Sequence, residues 1–223
     1  MHTIDQPAHY QVFFDFDNTI TQFDILDDLI ERFSISHDWV QLESEWKKGM
    51  IGSQQCLKGQ LALVRITKKK LVSYLKNVGI DPWFTKIVLL LGRHGVKPII
   101  LSDDFGFIIR TVLKNHGIKG VKIICNSLKF SGDKLQLQFP HRDTTCGNCG
   151  HCKKKSLKKS LKKNTISIYI GDGRSDFCPA RLTDFVFAKG SLLQHFRDSK
   201  RTCIPMNTLR DVYLFLEEKL HES

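Results

Sequence analysis

The chain has 223 residues, 41% hydrophobic and 26% charged, an ordinary globular composition that suits one full core plus a smaller insert. Its longest apolar stretch, residues 87–91, is far too short to span a membrane, and no signal-peptide pattern opens the sequence. Seven cysteines without a secretion signal favour reduced thiols or metal ligands over disulfides. We therefore predict a cytoplasmic protein with no membrane partner.

The first predicted element is a buried strand, the apolar run at residues 12–14, which opens a strand-and-loop unit at residues 10–20. Residues 21–95 are rich in apolar positions at helical spacing. Beyond them, strand and helix patterns alternate, which predicts a parallel sheet with right-handed crossovers. The predicted strands are residues 98–101, 121–125, 166–170 and Phe185–Ala188, with helices at 107–116 and 209–220 and a hairpin at 128–139.

Two carboxylates, Asp15 and Asp17, follow the first strand directly, and Thr19 completes the pattern D-x-D-x-T. Strand residues two apart point the same way, and open α/β sheets bind ligands at the carboxyl ends of their strands. Two carboxylates there can hold a divalent cation, attack an electrophile, or divide the nucleophile and acid–base roles. An edge strand running into an acidic turn would give the same short pattern, so later motifs must decide.

Later polar motifs also follow apolar runs, which suggests that one edge of the sheet collects them. They are Ser102 with Asp103 and Asp104, and the loop from Gly171 to Asp176, and Lys153 stands between the two in the chain. Taken in order as DFDNT, LSDDF, Lys153 and GDGRSD, these motifs resemble the four motifs of the haloacid-dehalogenase (HAD) superfamily of aspartate-nucleophile phosphatases. The resemblance spans residues 10–190.

The resemblance implies an α/β fold: a Rossmann-like parallel sheet sandwiched by helices, with an inserted helical cap. The catalytic core would comprise residues 1–20 and 96–223, and the cap residues 21–95. A cap of this kind excludes water, supplies specificity and opens for product release. The last helix of the segment, near Trp83, would alternatively pack on the sheet.

The same resemblance assigns roles at the site. Asp15 would be the nucleophile that forms an aspartyl-phosphate, and Asp17 would protonate the leaving alcohol and then activate water. Ser102 and the backbone N–H groups after it would bind phosphate oxygens, while Lys153 would pair with the nucleophile and the phosphate. Mg²⁺ would be the cofactor, because hard oxygen ligands suit it. The implied metal set is Asp15, Asp17 through its backbone carbonyl, Asp172, and Asp176 as an orienting carboxylate.

Two subgroups of the superfamily are similar to this chain. LSDDF and GDGRSDFCP resemble motifs of phosphoethanolamine/phosphocholine phosphatases, although Ser175 stands where those have Asn. The Cys-rich stretch before Lys153 resembles that of the methionine-salvage phosphatases acting on a methylthio-ketopentenyl phosphate. There the lysine follows the last Cys, which selects Lys153 over the adjoining Lys154 and Lys155.

Phosphoserine phosphatases are the third relative, with an acid at the position that Asp24 occupies. Gln60 stands near the place of their carboxylate-clamping Arg, and a Gln cannot neutralise a carboxylate. Phosphoserine is therefore disfavoured, which leaves a phosphorylated amine, a salvage-type sugar phosphate or a phosphorylated vitamin. Asp24, Asp103 and Gly173 form the predicted substrate-binding set, and Asp24 equally suits an N-cap.

Cys146, Cys149 and Cys152 have C-x-x-C-x-x-C spacing, with His141 and His151 close by. One interpretation is a structural zinc site, and the other is a family loop with free or redox-active thiols.

The net charge of +11 comes largely from one lysine-rich run at residues 153–163. A basic run of this kind can bind nucleic acid. Leu157 and Leu161 are four apart, however, which favours an amphipathic helix with a solvated lysine face over a nucleic-acid site.

The leading hypothesis is a Mg²⁺-dependent phosphomonoesterase acting on a small phosphorylated metabolite. The alternatives are a phosphoserine-type phosphatase, a zinc or nucleic-acid binding module built on the Cys cluster and the lysine run, and an inactive scaffold. Intact motifs argue against the scaffold. The released alcohol and the oligomeric state stay open.

Overall fold

A computed structural model describes residues 9–145 and 149–221, and within these ranges seven strands form one sheet. The strands are β1 (His9–Phe14), β2 (Ile99–Phe105), β3 (Lys122–Ser131), β4 (Lys134–Gln138), β5 (Thr165–Gly171), β6 (Phe185–Ala188) and β7 (Ile204–Pro205). Their order is β4-β3-β2-β1-β5-β6-β7, and every pair is parallel except β3 with β4. The predicted α/β class is confirmed.

Helices connect and cover the strands. They are α1 (Ile25–Phe33), α2 (Trp39–Lys47), α3 (Ser53–Leu63), α4 (Lys68–Leu75), α5 (Pro82–Arg93), α6 (Gly106–Asn115), α7 (Lys153–Ser160), α8 (Phe177–Ala180), α9 (Gly190–Asp198) and α10 (Leu209–His221). Within the described residues, no helix has the length and apolar character that crossing a membrane requires.

The two faces of the sheet bury alternate side chains, because neighbours on a strand point to opposite sides. Phe14 packs into the larger core together with residues of α5, α6 and α10. Phe13 points to the other face and packs with Leu157 of α7, Ala180 of α8 and Leu192 of α9. Both phenylalanines are fully buried, and burial of such a side chain contributes roughly 1.5–3 kcal/mol.

Helix α5 packs against the sheet. Its N-cap Asp81 accepts a hydrogen bond from the Trp83 N–H at 2.9 Å, and Pro82 suits the first turn because its missing donor would be unpaired there. The rings of Phe84 and Phe14 meet edge to face at 5.3 Å, which fixes α5 on β1. Asp81 also accepts from the Leu209 N–H at 2.9 Å, which ties α5 to α10.

Two strands are longer than predicted. β2 does not end at Leu101 but continues through Ser102 and the following acids to Phe105, with a shift of register against β3 after Leu101. β3 runs without a break from Lys122 to Ser131, so the predicted strand at 121–125 and the first hairpin strand are one element. Periodicity missed this continuity because no single burial pattern runs along β3: Cys125 and Asn126 are buried, and half-buried and exposed residues lie on either side of them.

The lysine-rich helix is also shorter than its sequence run. α7 ends at Ser160, and Lys162 and Lys163 follow it. Leu157 is fully buried, whereas Leu161 is half-buried at the C-cap. Helix α9 and the strand β7 were not predicted, and β7 is too short, at two residues, to carry a periodic signal.

Candidate active site

The carboxyl ends of β1, β2 and β5 meet at one edge of the sheet, because these three neighbouring strands are parallel. Asp15 follows β1, and its N–H donates to the Ile170 carbonyl of β5 at 2.9 Å. Its carboxylate Oδ1 accepts from the Phe16 N–H at 2.7 Å. These two bonds fix the backbone and the carboxylate of Asp15, a residue that is 6% exposed.

Lys153, the first residue of α7, reaches this carboxylate. Its Nζ lies 2.6 Å from Asp15 Oδ1 and 2.9 Å from Asp176 Oδ1, and the side chain is 1% exposed. Burial alone would lower the pKa of Lys153, but Asp15 and Asp176 outweigh it and the pKa is raised, so the amine stays charged. Lys154 is exposed, and Lys155 pairs with Asp143 at 3.5 Å.

Asp176 is a fully buried hub for this lysine. Lys153 and the Tyr169 hydroxyl donate to its Oδ1 at 2.9 and 2.7 Å, and the N–H groups of Asp172 and Gly173 donate to its Oδ2 at 3.1 Å. Burial would raise the pKa of Asp176, but Lys153 and the hydrogen bonds prevail and lower it. Asp176 is therefore a permanent anion that orients Lys153.

Gly171 makes room for that hub. A Cβ built on Gly171 would lie 2.4 Å from Asp176 Oδ2, closer than atoms pack. Because Asp176 is held by four donors, it cannot swing aside cheaply. Gly171, the first residue of the GDGRSD loop, must therefore be a glycine, because the Asp176 carboxylate occupies the place of a Cβ.

Three carboxylates could hold a metal ion here. Oxygens of Asp15, Asp172 and Asp176 all lie within 4.8 Å of one another. Burial, followed by Asp176, raises the pKa of Asp15 well above its ordinary value and that of Asp172 to about 6. A divalent cation among these oxygens would relieve this crowding and favour the ionised forms, so the residues fit a bound metal.

The three carboxylates differ in how many hydrogen bonds they already accept, and so in how free their oxygens are to bind a metal ion. Asp172 Oδ1 accepts only from the Thr19 hydroxyl, at 3.1 Å, among the hydrogen bonds of the described residues, whereas Asp176 already has donors on both oxygens. Asp15 and Asp172 are the carboxylates best placed for direct contact with a cation.

Asp17 lies apart from this group and faces a second set of acids. Its Oδ1 accepts from the Ile25 N–H at 3.0 Å. Burial raises the pKa of Asp17 well above its ordinary value, and Asp104 and Asp24 raise it further. A carboxyl group whose pKa is raised in this way is suited to act as a general acid.

The predicted phosphate-binding residue Ser102 is fully buried within β2. Its hydroxyl accepts from the Asp104 N–H at 2.9 Å, and its carbonyl is 2.8 Å from His151 Nδ1. Asp103 Oδ1 and Asp104 Oδ2 are buried and have no hydrogen-bond partner among the described residues. Such buried oxygens without a partner are free to contact a ligand, an ion or a water molecule.

A cavity of about 180 Å³ joins the strand ends to helices α1, α2 and α3. The predicted residues Asp15, Asp17, Asp24, Ser102, Asp103, Lys153, Asp172 and Gly173 all line it, whereas Asp176 lies beneath it. Apolar side chains face these acids, namely Leu26, Ile30, Trp46 and Leu57. Asp24 is also the N-cap of α1 and accepts from the Asp27 N–H at 3.0 Å, as one interpretation predicted.

Glu43 of α2 lines the cavity, and residues of α2 and α3 fix its carboxylate. Glu43 pairs with Lys47 at 3.1 Å and accepts from Gln60 Nε2 at 3.1 Å. Gln60 is thus occupied in fixing Glu43. Among the described residues that line the cavity, the cations are Lys153 and Arg174.

The Cys cluster lies only partly within the described residues. Cys146 lies outside them, and Cys152 is a buried N-cap of α7 whose N–H donates to the His141 carbonyl at 3.0 Å. Both ring nitrogens of His151 are hydrogen-bonded, to Ser102 and to Ser156. Within the described residues, the group able to hold a metal is the aspartate group. Zinc at the cysteines stays a prediction.

Some residues of the site were missed or read differently. Tyr169 lies within the apolar run of β5, which predicts a core residue, but its hydroxyl donates a hydrogen bond to Asp176. Arg174 stands inside the Gly-rich loop and carries no motif of its own. The sequence suggests only a zinc ligand at His151, although its position two residues before Lys153 indicates a place next to the site.

The family model and the curated relatives, which are named as phosphatases, together with the four motifs on this fold, define the class: a phosphatase of the haloacid-dehalogenase superfamily, which is a phosphoric monoester hydrolase. More specifically, the chain belongs to the family described as "Putative Phosphatase", whose model matches residues 10–201. The sequence prediction of the superfamily is confirmed.

Curated relatives agree with this placement. A 2-hydroxy-3-keto-5-methylthiopentenyl-1-phosphate phosphatase from Lysinibacillus sphaericus (strain C3-41) is 29% identical over 226 residues, covering 95% of this chain and 96% of the relative. One from Geobacillus kaustophilus (strain HTA426) is 27% identical over 205 residues, covering 90% and 92%.

Solved structures show the same fold. A phospho-aspartyl intermediate analogue of phosphoserine phosphatase superposes with a TM-score of 0.71 at 16% identity, covering 94% of this chain and 99% of that one. A substrate-bound phosphoserine phosphatase complex gives 0.68 at 15% identity, covering 95% and 99%.

Proposed function

We propose that this protein is a Mg²⁺-dependent phosphomonoesterase in which Asp15 is the nucleophile. The observation that carries the proposal is the buried contact of 2.6 Å between Asp15 and Lys153, beside the carboxylates of Asp172 and Asp176. A carboxylate attacks a dianionic phosphate only when nearby positive charge offsets the repulsion. The site supplies one fixed cation and oxygen ligands for a second.

In the first step, Asp15 Oδ attacks phosphorus, a carboxylate O–P bond forms, and the bond from phosphorus to the leaving oxygen breaks. Asp17, held by the Ile25 N–H, gives its proton to the leaving oxygen. In the second step, Asp17 accepts a proton from the water that attacks the aspartyl-phosphate, which releases phosphate and restores Asp15. The hydroxyl of Ser102 and Lys153 hold phosphate oxygens in both steps.

Mg²⁺ is the metal we assign, because a site of carboxylate oxygens open to water suits a hard divalent ion. Asp15 and Asp172 would hold it, with the backbone carbonyl of Asp17. When bound, it would neutralise charge on the phosphoryl oxygens. Asp176 orients Lys153 from below.

In this proposal residues 1–20 and 96–223 form the catalytic core and residues 21–95 the cap. Support comes from α1, α2 and α3, which line the cavity opposite the strand ends. Helix α5 lies in the same segment, but its contacts are with β1 and α10. The part of the segment that would open and close is therefore α1 to α4.

The cavity favours a small metabolite whose leaving group carries an amine. Asp24, Asp27 and Glu43 line the cavity, and a substrate carboxylate would meet like charge beside them. Asp103 and Asp104 add buried oxygens without partners. A substrate cation would satisfy these acids. The methylthio-ketopentenyl phosphate named for the relatives, whose leaving group is uncharged, is the second candidate, since the apolar residues Leu26 and Leu57 suit that group.

A phosphate-release screen with Mg²⁺ tests the proposal. The panel contains phosphoethanolamine, phosphocholine, phosphoserine, pyridoxal phosphate, thiamine phosphate, sugar phosphates, the methylthio-ketopentenyl phosphate and an aryl phosphate. Asp15→Asn is expected to lower turnover by more than about 10³-fold. Asp198→Asn, an exposed Asp hydrogen-bonded to Gln194, is the matched control and should keep wild-type turnover.

Full activity of Asp15→Asn would refute the nucleophile assignment. Preference for the methylthio-ketopentenyl phosphate over every amine would refute the amine proposal and leave the phosphatase intact.

A further inference from the structure

His151 is a buried histidine next to the site, and the proposed mechanism does not use it. Its side chain lies between β2 and α7 and the residue is 2% exposed. Nδ1 is 2.8 Å from the Ser102 carbonyl, and Nε2 is 2.7 Å from the Ser156 hydroxyl. One imidazole therefore joins the strand that carries Ser102 to the helix that begins with Lys153.

The chemistry of these partners fixes the proton. A carbonyl oxygen can only accept, so Nδ1 must carry the hydrogen and donate to Ser102. A neutral imidazole then has a lone pair on Nε2, which accepts from the Ser156 hydroxyl. Both bonds are satisfied by a single neutral tautomer. Burial lowers the pKa of His151 to about 4, in keeping with this neutral form.

The residues at either end of the bridge are themselves ordered. Ser102 Oγ accepts from the Asp104 N–H at 2.9 Å, so the strand around the hydroxyl is fixed. Ser156 lies in the first turns of α7, and its N–H donates to the Cys152 carbonyl at 3.0 Å. The Lys153 N–H donates to the His151 carbonyl at 3.0 Å, so backbone and ring of His151 both serve the start of the helix.

We propose that His151 is a positioning residue, which sets β2 and α7 at the separation where Ser102 and Lys153 engage the same phosphoryl group. This inference rests on the proposed phosphatase function. A displacement of about 1 Å of such groups lowers rates by about 10²-fold, so a bridge that fixes their spacing affects activity without touching the substrate.

Two amide variants separate the two bonds. The amide of Asn can occupy the place of Nδ1 and donate to Ser102, whereas Gln extends to the place of Nε2 and reaches Ser156. His151→Gln is expected to weaken inhibition by inorganic phosphate about 10-fold and to lower kcat/KM for an aryl phosphate by about 10- to 100-fold. His151→Asn should keep phosphate inhibition within about threefold, because Ser102 stays bonded and Lys153 keeps its ion pairs with Asp15 and Asp176. It should lose mainly kcat, because α7 is no longer bonded to the side chain at position 151.

A milder pair keeps the test valid if these variants fold poorly. Ser156→Ala removes only the hydroxyl that pins Nε2, and it should lower kcat about 3- to 10-fold. Ser160→Ala is its matched control on the same helix, because the Ser160 hydroxyl bonds the Ser156 carbonyl and not the imidazole. His116→Asn, which loses a ring contact to the Val78 carbonyl far from the site, should change nothing.

The inference is overturned if both His151 variants and Ser156→Ala retain phosphate inhibition and kcat/KM within about twofold while Asp15→Asn is silent. It is also overturned if the Asn and Gln variants lose activity equally and in proportion to their unfolded fraction. An active Asp15→Asn would instead refute the proposed function, so the two failures are distinguishable.

Discussion

The Arg174 guanidinium lies over the ring of Trp46, 5.4 Å from its centroid, and its Nη1 donates to the Lys47 carbonyl at 2.9 Å. Trp46 belongs to α2, whereas Arg174 follows Asp172 by two residues. The loop that would hold the metal is thus fastened directly to the helix that covers the cavity.

Arg174→Ala should loosen this closure and raise KM about 2- to 5-fold, because an exposed cation–π contact contributes about 0.5–1 kcal/mol. Arg174→Lys should recover little, since an ammonium lacks the planar guanidinium that stacks on an indole. Steady-state kinetics with the best substrate of the screen measure the effect. Lys86→Ala removes a cation–π contact from Trp83 away from the cavity and should leave KM unchanged.

Gly171→Ala should destabilise the fold and weaken metal binding, because its Cβ would meet Asp176 Oδ2 at 2.4 Å. We expect a loss of about 1–3 kcal/mol in unfolding free energy. We also expect the Mg²⁺ concentration that gives half-maximal activity to rise about 10- to 100-fold. Chemical denaturation and a Mg²⁺ titration of activity measure the two. Gly92→Ala on α5, away from the cavity, is the control, since its Cβ meets nothing within 4 Å. Equal behaviour of the two variants would contradict the packing argument.

Asp27 should make the binding of an amine-bearing substrate depend on pH. Although Asp27 is partly exposed, desolvation beside the cavity, followed by the charges of Asp24 and Glu43, raises its pKa to about 7. The carboxylate is charged above that pH and neutral below it, so KM for phosphoethanolamine should fall as the pH rises through 7. A phosphate ester with a neutral leaving group is the reference, because the titration of the phosphate and the catalytic groups cancels in the ratio of the two KM values. Asp27→Asn should abolish the difference.

His151 should make stability depend on pH in a way that its replacement removes. Its pKa is about 4 in the fold, against an ordinary 6.5, so below 6.5 the unfolded chain binds a proton that the folded chain refuses. The stability that neutral His151 contributes is fully present above its pKa in the unfolded chain. It is lost as the pH falls from that value toward the pKa of His151 in the folded chain. The wild type should lose about 2 kcal/mol more than His151→Asn between pH 7 and pH 5. Denaturant unfolding at both pH values measures this, and parallel curves would contradict it.

Much of the site could be predicted from sequence because its motifs are local. Asp15 and Asp17 come directly after a strand, and Asp172 follows another, so parallel pairing alone brings them to one edge. Lys153 needed a family resemblance, since three adjoining lysines have the same local chemistry. The structure distinguishes them by burial: Lys153 lies against Asp15, and its neighbours face solvent or Asp143.

Contacts between distant segments could not be read from the chain. His151 looked like a metal ligand because it stands among cysteines, and only the packing of α7 on β2 shows its two hydrogen-bond partners. From the sequence, Gln60 shows only that the arginine of phosphoserine phosphatases is missing at this position. Its hydrogen bond to Glu43 depends on the packing of α2 against α3, which the sequence does not reveal.

By itself, the sequence determined the α/β class, the superfamily and the acids at the strand ends, since each depends on a short pattern whose meaning is local: alternation of apolar runs, or a carboxylate just after a strand. Tertiary structure decided which lysine is buried, how Asp176 is bound and what surrounds the leaving group. Those properties depend on desolvation and on distances between segments remote in the chain, such as Asp15 and Lys153, and no local pattern encodes them.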